Sequence, residues 1–437
     1  MSMRIVNWRA LSAAERKDCL RRPAADDDDR VRRSVRDIID QVRRDGDVAL
    51  RQLTSRLDGI DIDDFRVTDG EFETAERRLT PGQLDAIDVA VQNVRKFHEA
   101  QLPSPIRIET MPGVTCERVS HPLDAVGLYV PAGTAPLPSA AVMLGVPAAI
   151  AGCPRRIMCT PPRKDGAANP GVLVAAKRAG VSDVFRIGGA QAIAAMAFGT
   201  DSVPKVNKIF GPGNAWVTEA KSQVAADPGG AAIDMPAGPS EVLVIADDAA
   251  DAGFIAADLL SQAEHGVDSQ VVLVTTSGAV AQAVADEVAA QIQRLSRAAI
   301  ARESIAASVL IVTDDLDSAA EISNDYAPEH LILHVSAPRE LLRNLRNAGS
   351  IFLGPWSPES VGDYCSGTNH VLPTYGHARS YSGLSVDQFM RHMTVQELTA
   401  DGLKVIGRSV IELANLEGLD AHAAAVECRL SAAGTSR

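Results

Sequence analysis

Between residues 125 and 353, short β-branched runs alternate with alanine-rich stretches, and this alternation limits the fold more than any other feature of the chain. Strands are predicted at 126–130, 156–160, 184–188 and 206–210, with helices at 138–152, 170–179 and 190–198 between them. A second series follows after residue 230, with strands at 242–246, 270–275, 308–313, 331–335 and 349–353 and helices at 250–264, 278–296, 317–325 and 338–346. Strand–helix alternation of this kind builds parallel sheets covered on both faces. Two series predict two α/β domains.

The flanking segments read differently. Residues 1–27 are expected to form an N-terminal arm, ending at the acidic run Asp26–Asp29, where carboxylates suit the first turn of a helix. Val31, Val35, Ile38, Ile39 and Val42 then fall at helical spacing. Thr80-Pro81-Gly82-Gln83 reads as a capping box with proline at the first helical position. The expected division is 28–124 together with 240–379 as a first α/β domain, 125–239 as a second, and 380–437 as a helical C-terminal segment without strands. No fixed-period repeat is found.

Composition narrows the function classes. Hydrophobic residues make up 46% and charged residues 23% of the 437 positions, which excludes a disordered or collagen-like chain. The formal net charge of −13, without a long basic run, argues against a nucleic-acid partner or an anionic membrane surface. Residues 125–154 carry no charge, but Pro131, Pro136, Pro138, Pro147 and Pro154 make the stretch a poor membrane helix. Six cysteines without a C-x-x-C pair read as reduced thiols, and with no signal-peptide pattern the expected location is the cytoplasm.

No dinucleotide fingerprint, phosphate loop or H-E-x-x-H occurs. Glycine-rich segments nevertheless follow three candidate strands: Tyr129–Thr134, Gly188–Gln191 and Gly211–Asn214. In an open parallel sheet such loops receive ligands, though plain turns have the same composition. Gln262 and His265, three apart, share a helix face and could hold a metal or a polar ligand, or be an exposed amide and a capping histidine. Glu329 and His330 suit acid–base work. Asp363 is a ligand or a turn former, and Glu417 and His422 lie in a helical tail where exposed polar residues are ordinary.

Taken together, the runs YVPAGTAPLPS, RIGGAQAIAAMAFGT, VPKVNKIFGPGNAWVTEAK, AAIDMPAGPSEVLVIAD, LLSQAEHGVDSQV, YAPEHLI, GPWSPESVGDYCSGTNHVLPTYG and MTVQEL resemble the histidinol dehydrogenase family over nearly the whole chain. The resemblance implies two incomplete Rossmann-like domains and a zinc- and NAD-dependent oxidation of L-histidinol to L-histidine by a homodimer. It implies zinc ligands at Gln262, His265, Asp363 and His422, an acid–base pair at Glu329 and His330, and NAD contacts at Tyr129, Gln191 and Asn214. Substrate contacts would add Ser240 and Glu417 to His330 and the zinc ligands, with Glu417 and His422 supplied by the partner subunit. Ala132 stands where the family commonly has a second glycine, and Cys116 and Cys153 are read as structural.

Overall fold

The computed structural model describes residues 3–22, 29–132, 135–235 and 238–435. Asp26–Asp28 of the acidic run and Gly133 and Thr134 of the first glycine loop lie outside them. The arm contributes β1 (Arg4–Asn7) and α1 (Ala13–Cys19), which opens with a capping box between Ser12 and Glu15. Three helices follow: α2 (Asp29–Asp58), kinked at Gly46, α3 (Asp69–Arg78) and α4 (Pro81–Glu99). The predicted box starts α4: the Thr80 backbone donates to Gln83 Oε1 at 2.9 Å and Gln83 N donates back to the Thr80 hydroxyl at 3.3 Å.

After β2 (Ile106–Met111) and β3 (Val114–Pro122), the first alternating series forms β4 (Ala125–Tyr129), α5 (Pro138–Ile150), β5 (Arg155–Thr160), α6 (Pro170–Arg178), β6 (Asp183–Arg186), α7 (Gly189–Phe198), β7 (Lys208–Phe210), α8 (Ala215–Ala226) and β8 (Ala232–Ile233). The second forms β9 (Glu241–Ala246), α9 (Ala252–Ala263), β10 (Gln270–Thr275), α10 (Gly278–Gln291), α11 (Ala298–Ala306), β11 (Val309–Val312), α12 (Leu316–Tyr326), β12 (His330–His334), α13 (Pro338–Leu341), β13 (Ser350–Leu353) and α14 (Glu359–Tyr364). The tail holds β14 (Met390–Leu398), α15 (Ala400–Leu416) and α16 (Asp420–Thr435).

Both large sheets are parallel, in the orders β6-β5-β4-β7-β8 and β1-β11-β10-β9-β12-β13. With β1 set aside, each series winds the same way: third, second, first, fourth, fifth strand. This is the open doubly wound arrangement, with a switch point beside the first strand of each series. Alternation along β4 shows why both faces must be covered: Val126 and Leu128 join the core under α5 and α6, while Ala125 and Tyr129 join the core under α2 and α7.

Three expectations are corrected. The arm adds β1 as an edge strand, with Arg4–Asn7 in register with Val309–Val312 of β11. The tail is not purely helical: β14 pairs antiparallel with β3, Met390 opposite Pro122 and Leu398 opposite Val114. Its residues are largely exposed, so no apolar run marked it as a strand. Helices from residues 28–124, expected with 240–379, pack on the other sheet. Val35, Ile38, Ile39 and Val42 of α2 meet Ile157, Phe185 and Ile193, and α3 and α4 lie with α5 and α6. An amphipathic stripe says that a face is buried, not against which sheet.

α4 ends in a histidine that must be neutral. His98 is fully buried, with Nδ1 2.8 Å from the Val94 carbonyl and Nε2 3.4 Å from the Asn369 amide nitrogen. That nitrogen also donates to the Met143 carbonyl at 2.8 Å, so Nδ1–H is the donor and bare Nε2 the acceptor. Burial accordingly lowers the His98 pKa below the ordinary imidazole value, against the Val94 bond. A depressed folded-state pKa gives stability that is complete above the unfolded value, about 6.5, and lost as the pH falls toward the folded value. Chemical denaturation from pH 7 to pH 5 should therefore show a steeper loss of stability for the wild type than for His98→Gln.

Candidate active site

Two groups of predicted residues gather at strand ends. At the carboxyl ends of β4 and β7, flanking the switch point, stand Tyr129 and the Gly211–Asn214 turn. Gly211 has φ 121°, and a Cβ there would overlap the Tyr129 carbonyl oxygen, so only glycine lets the two strand ends come this close. Burial pushes the Tyr129 phenol up to about 12, so it stays protonated, and its oxygen accepts a hydrogen bond from Gly189 N at 3.0 Å. Gln191, in the first turn of α7, donates to Asp58 at 3.4 Å, while its buried Oε1 has no partner among the described residues. Asn214 caps α8 by accepting from Val217 N at 3.2 Å.

The second group sits at the opposite kind of edge, the amino ends of β9 and β12. His330 opens β12, Glu329 precedes it, and Ser240 precedes β9. The backbone of a single residue, Glu241, organises the pair. The Glu241 N–H donates to Glu329 Oε2 at 2.9 Å, and the Glu241 carbonyl lies 3.1 Å from His330 Nδ1. With Nδ1–H bound there, His330 Nε2 is directed to Asp363, 3.6 Å away. Burial, the dominant cause, pushes Glu329 up to about 8 against the pull of His330. For His330, burial works against the imidazolium, but Glu359, Glu329 and Asp363 outweigh it and push the ring up to about 10.

Helix α9 (ending at Ala263) brings Gln262 to this edge, and His265 follows in the bend just after it, so the two do not share a helix face as the spacing suggested; the short α14 brings Glu359 and Asp363. One ligand atom from each of His265, Glu359 and Asp363 lies within 4.8 Å of the others. Desolvation lowers the His265 pKa, which favours the neutral imidazole a metal needs. Burial pushes the Glu359 carboxyl well above the usual range; for Asp363, burial is outweighed by His330, His370 and His265, which hold it below that range. Among the described residues, His330 is the ion-pair partner of both Glu329 and Asp363, and Nε2 of His370 is buried without a partner. Oxygen and nitrogen donors massed in this way fit a divalent cation.

The site is also tied to the arm. Arg22 forms a bidentate ion pair with Glu241, its Nη2 2.9 Å from Oε2 and its Nε bonded to Oε1. Its Nη2 also donates to the Tyr326 carbonyl at 2.7 Å, and its guanidinium lies over the Tyr326 ring. Glu241 Oε1 accepts from Tyr375 N at 3.0 Å. Ala327 and Tyr375, the two non-glycine residues with positive φ among those described, thus both border this pair. Backbone strain of that kind persists only where the surroundings over-determine it.

The structure therefore brings together Gln262, His265, Glu329, His330 and Asp363, and gathers Tyr129 and Asn214 at the strand ends of the other sheet, beside the α7 turn that holds Gln191. It does not bring Glu417 and His422 to them: both are exposed, on a hairpin of α15 and α16. Sequence reading missed Glu359, His370, Glu241 and Arg22. Glu359 stands four residues before Asp363, and that spacing on one short helix was the available signal.

A buried acid–base pair beside metal-capable ligands, on a doubly wound scaffold, is the equipment of an enzyme that moves protons at a metal-assisted site. The sequence model of the family described as histidinol dehydrogenase matches residues 20–430, and the chain belongs to that family. It is 55% identical over 428 residues to a histidinol dehydrogenase of Vibrio vulnificus (strain CMCP6), covering 98% of each chain. It is 54% identical over 431 residues to one of Xanthomonas oryzae pv. oryzae (strain KACC10331 / KXO85), covering 99% of this chain and all of the other. A crystal structure of histidinol dehydrogenase from Elizabethkingia anophelis superposes with a TM-score of 0.95 at 43% identity over 99% of both chains.

Removing one partner of a buried ion pair strands the other charge, at a cost of about 3–5 kcal/mol. Arg22 and Glu241 side chains are 14% and 2% exposed. Arg22→Met should lower the unfolding free energy from urea denaturation by an amount in that range, and an unchanged value would show that the arm does not anchor the Glu241 backbone.

Proposed function

We propose that the chain oxidises L-histidinol to L-histidine in two successive NAD-dependent steps, with histidinal between them. The Glu329–His330 pair carries this reading, because the backbone of Glu241 holds both residues at the border of the carboxylate–imidazole cluster. Zinc held by Gln262, His265, Asp363 and the partner's copy of residue 422, and NAD taken at Tyr129, Gln191 and Asn214, supply when bound a template for the substrate nitrogens and an acceptor for hydride.

The proton work belongs to the chain. His330 commits Nδ1 to the Glu241 carbonyl, so Nε2 is the nitrogen that exchanges protons; the carboxylates around it raise its proton affinity, and the ring acts as a base once Nε2 has given up its proton. It takes the hydroxyl proton as hydride leaves the alcohol carbon, giving the aldehyde. Glu329, poised near neutrality by burial, takes a proton from the water that adds to the aldehyde. The hydrate then loses a second hydride and a proton and becomes the acid. Ser240 and Glu417 add substrate contacts, and Cys116 and Cys153 stay structural.

A homodimer is part of the reading. On the hairpin that carries Glu417 and His422, Leu413 and Leu416 are 60% and 83% exposed, an apolar surface suited to a partner subunit. The free state of all six cysteines supports a cytoplasmic location, and no described helix is long and apolar enough to cross a membrane.

Subunit sharing is tested by mixing. An inactive His330→Asn protein and an inactive His422→Asn protein should regain partial activity after subunit exchange, because one site per heterodimer then has both wild-type contributions. No recovery after confirmed exchange would place the tail on its own subunit. The division of labour is tested by single-turnover NADH formation. Glu329→Gln should slow oxidation of supplied histidinal by about 10²–10⁴-fold and spare the first hydride transfer from histidinol, while His330→Asn should slow that first transfer. Equal slowing of both steps by Glu329→Gln would reduce its role to electrostatics.

A further inference from the structure

An amide offers a cation two unlike ends: its oxygen can ligate, and its nitrogen carries only donors. For a buried amide, the end that faces a metal is set by what holds the other end. Gln262 is 1% exposed, with the end of its amide against the Glu359 carboxyl group; turned so that its nitrogen faces that group, the amide donates to Oε2 at 3.0 Å and also to Oε1. Glu359 is itself 1% exposed. It lies in the first turn of α14, one turn ahead of Asp363 on the same face, with an oxygen within 4.8 Å of the ligand atoms of His265 and Asp363.

We infer that Glu359 is a positioning residue for the metal site: by accepting the Gln262 N–H groups, it makes the Gln262 oxygen the ligating end. The inference rests on the zinc reading above. It differs from a role for Glu359 as a ligand or as bulk negative charge, because orientation needs an acceptor oxygen at full side-chain reach and no charge. Groups that orient ligands in this way typically contribute about 10–100-fold in metal affinity.

Two substitutions separate the roles. Glu359→Gln keeps an acceptor oxygen at the same reach and removes the charge; Glu359→Asp keeps the charge and withdraws the oxygens by one methylene. The measurement is zinc affinity, by competition of the purified zinc-loaded protein with a chromophoric chelator. Glu359→Asp should weaken zinc about 10–100-fold, and Glu359→Gln should stay within about threefold of the wild type. Should Glu359→Asp fail to fold, Glu359→Met, similar in length and without an oxygen, replaces it with the same expectation. Gln262→Ala and His265→Asn are the controls: wild-type zinc affinity in both would sink the zinc reading itself. With the controls weakened, the reverse order of the two Glu359 variants, equal losses in both, or no loss in either overturns the positioning role.

Discussion

Negative charge buried without a fixed cation is the constraint on which the rest of the structure depends. Glu329, Glu359 and Asp363 stand together at the amino edge of the six-stranded sheet, and among the described residues their charged company is histidine. Burying ionised carboxylates is costly unless they are paired, hydrogen-bonded or protonated, and here each remedy is used. Glu329 and Glu359 are driven toward the protonated form, Asp363 is held ionised chiefly by His330, and His330 gains proton affinity in return. The same arrangement that makes the cluster expensive makes it reactive: proton acceptors poised near or above neutrality, beside donors that suit a divalent cation.

Holding such a cluster takes structure from across the chain. Glu241 gives its N–H to Glu329 and its carbonyl to His330, and its own carboxylate is clamped by Arg22 from the N-terminal arm. The arm is kept in place by β1, the edge strand beside β11. Close packing on the other side does similar work: a Cβ on Gly362 would meet the Phe352 ring at 2.6 Å, so α14 lies near enough to β13 to put Glu359 and Asp363 into the cluster.

The two sheets wind alike but present opposite ends. The five-stranded sheet follows the rule for open α/β folds, with Tyr129 and Asn214 beyond the carboxyl ends of its strands. The six-stranded sheet places Ser240, Glu329 and His330 at the amino ends, where the carboxyl end of α9 adds Gln262 and the bend after it adds His265. The rule that located the glycine loops in the sequence therefore could not locate the acid–base pair. No internal repeat was visible either, because a shared winding order needs only apolar strands at the right intervals, and many sequences supply them.

Much of this was legible in the amino-acid order. Each predicted strand from 126–130 to 349–353 has its counterpart within two residues, because a strand buried on both faces is apolar at nearly every position. The motifs around Gln262, Glu329 and Asp363 carried the family and the main site residues. Silent in the sequence were the exposed ribbon β14, which lacks an apolar run, the packing of α2 on the five-stranded sheet, and Glu359. Local chemistry is written in neighbouring residues, so helix caps, strand runs and acid–base pairs can be read there. Partners brought from far along the chain, such as Arg22 to Glu241 and Glu359 to Gln262, exist only once the chain has folded, because burial and distance are properties of the packed molecule.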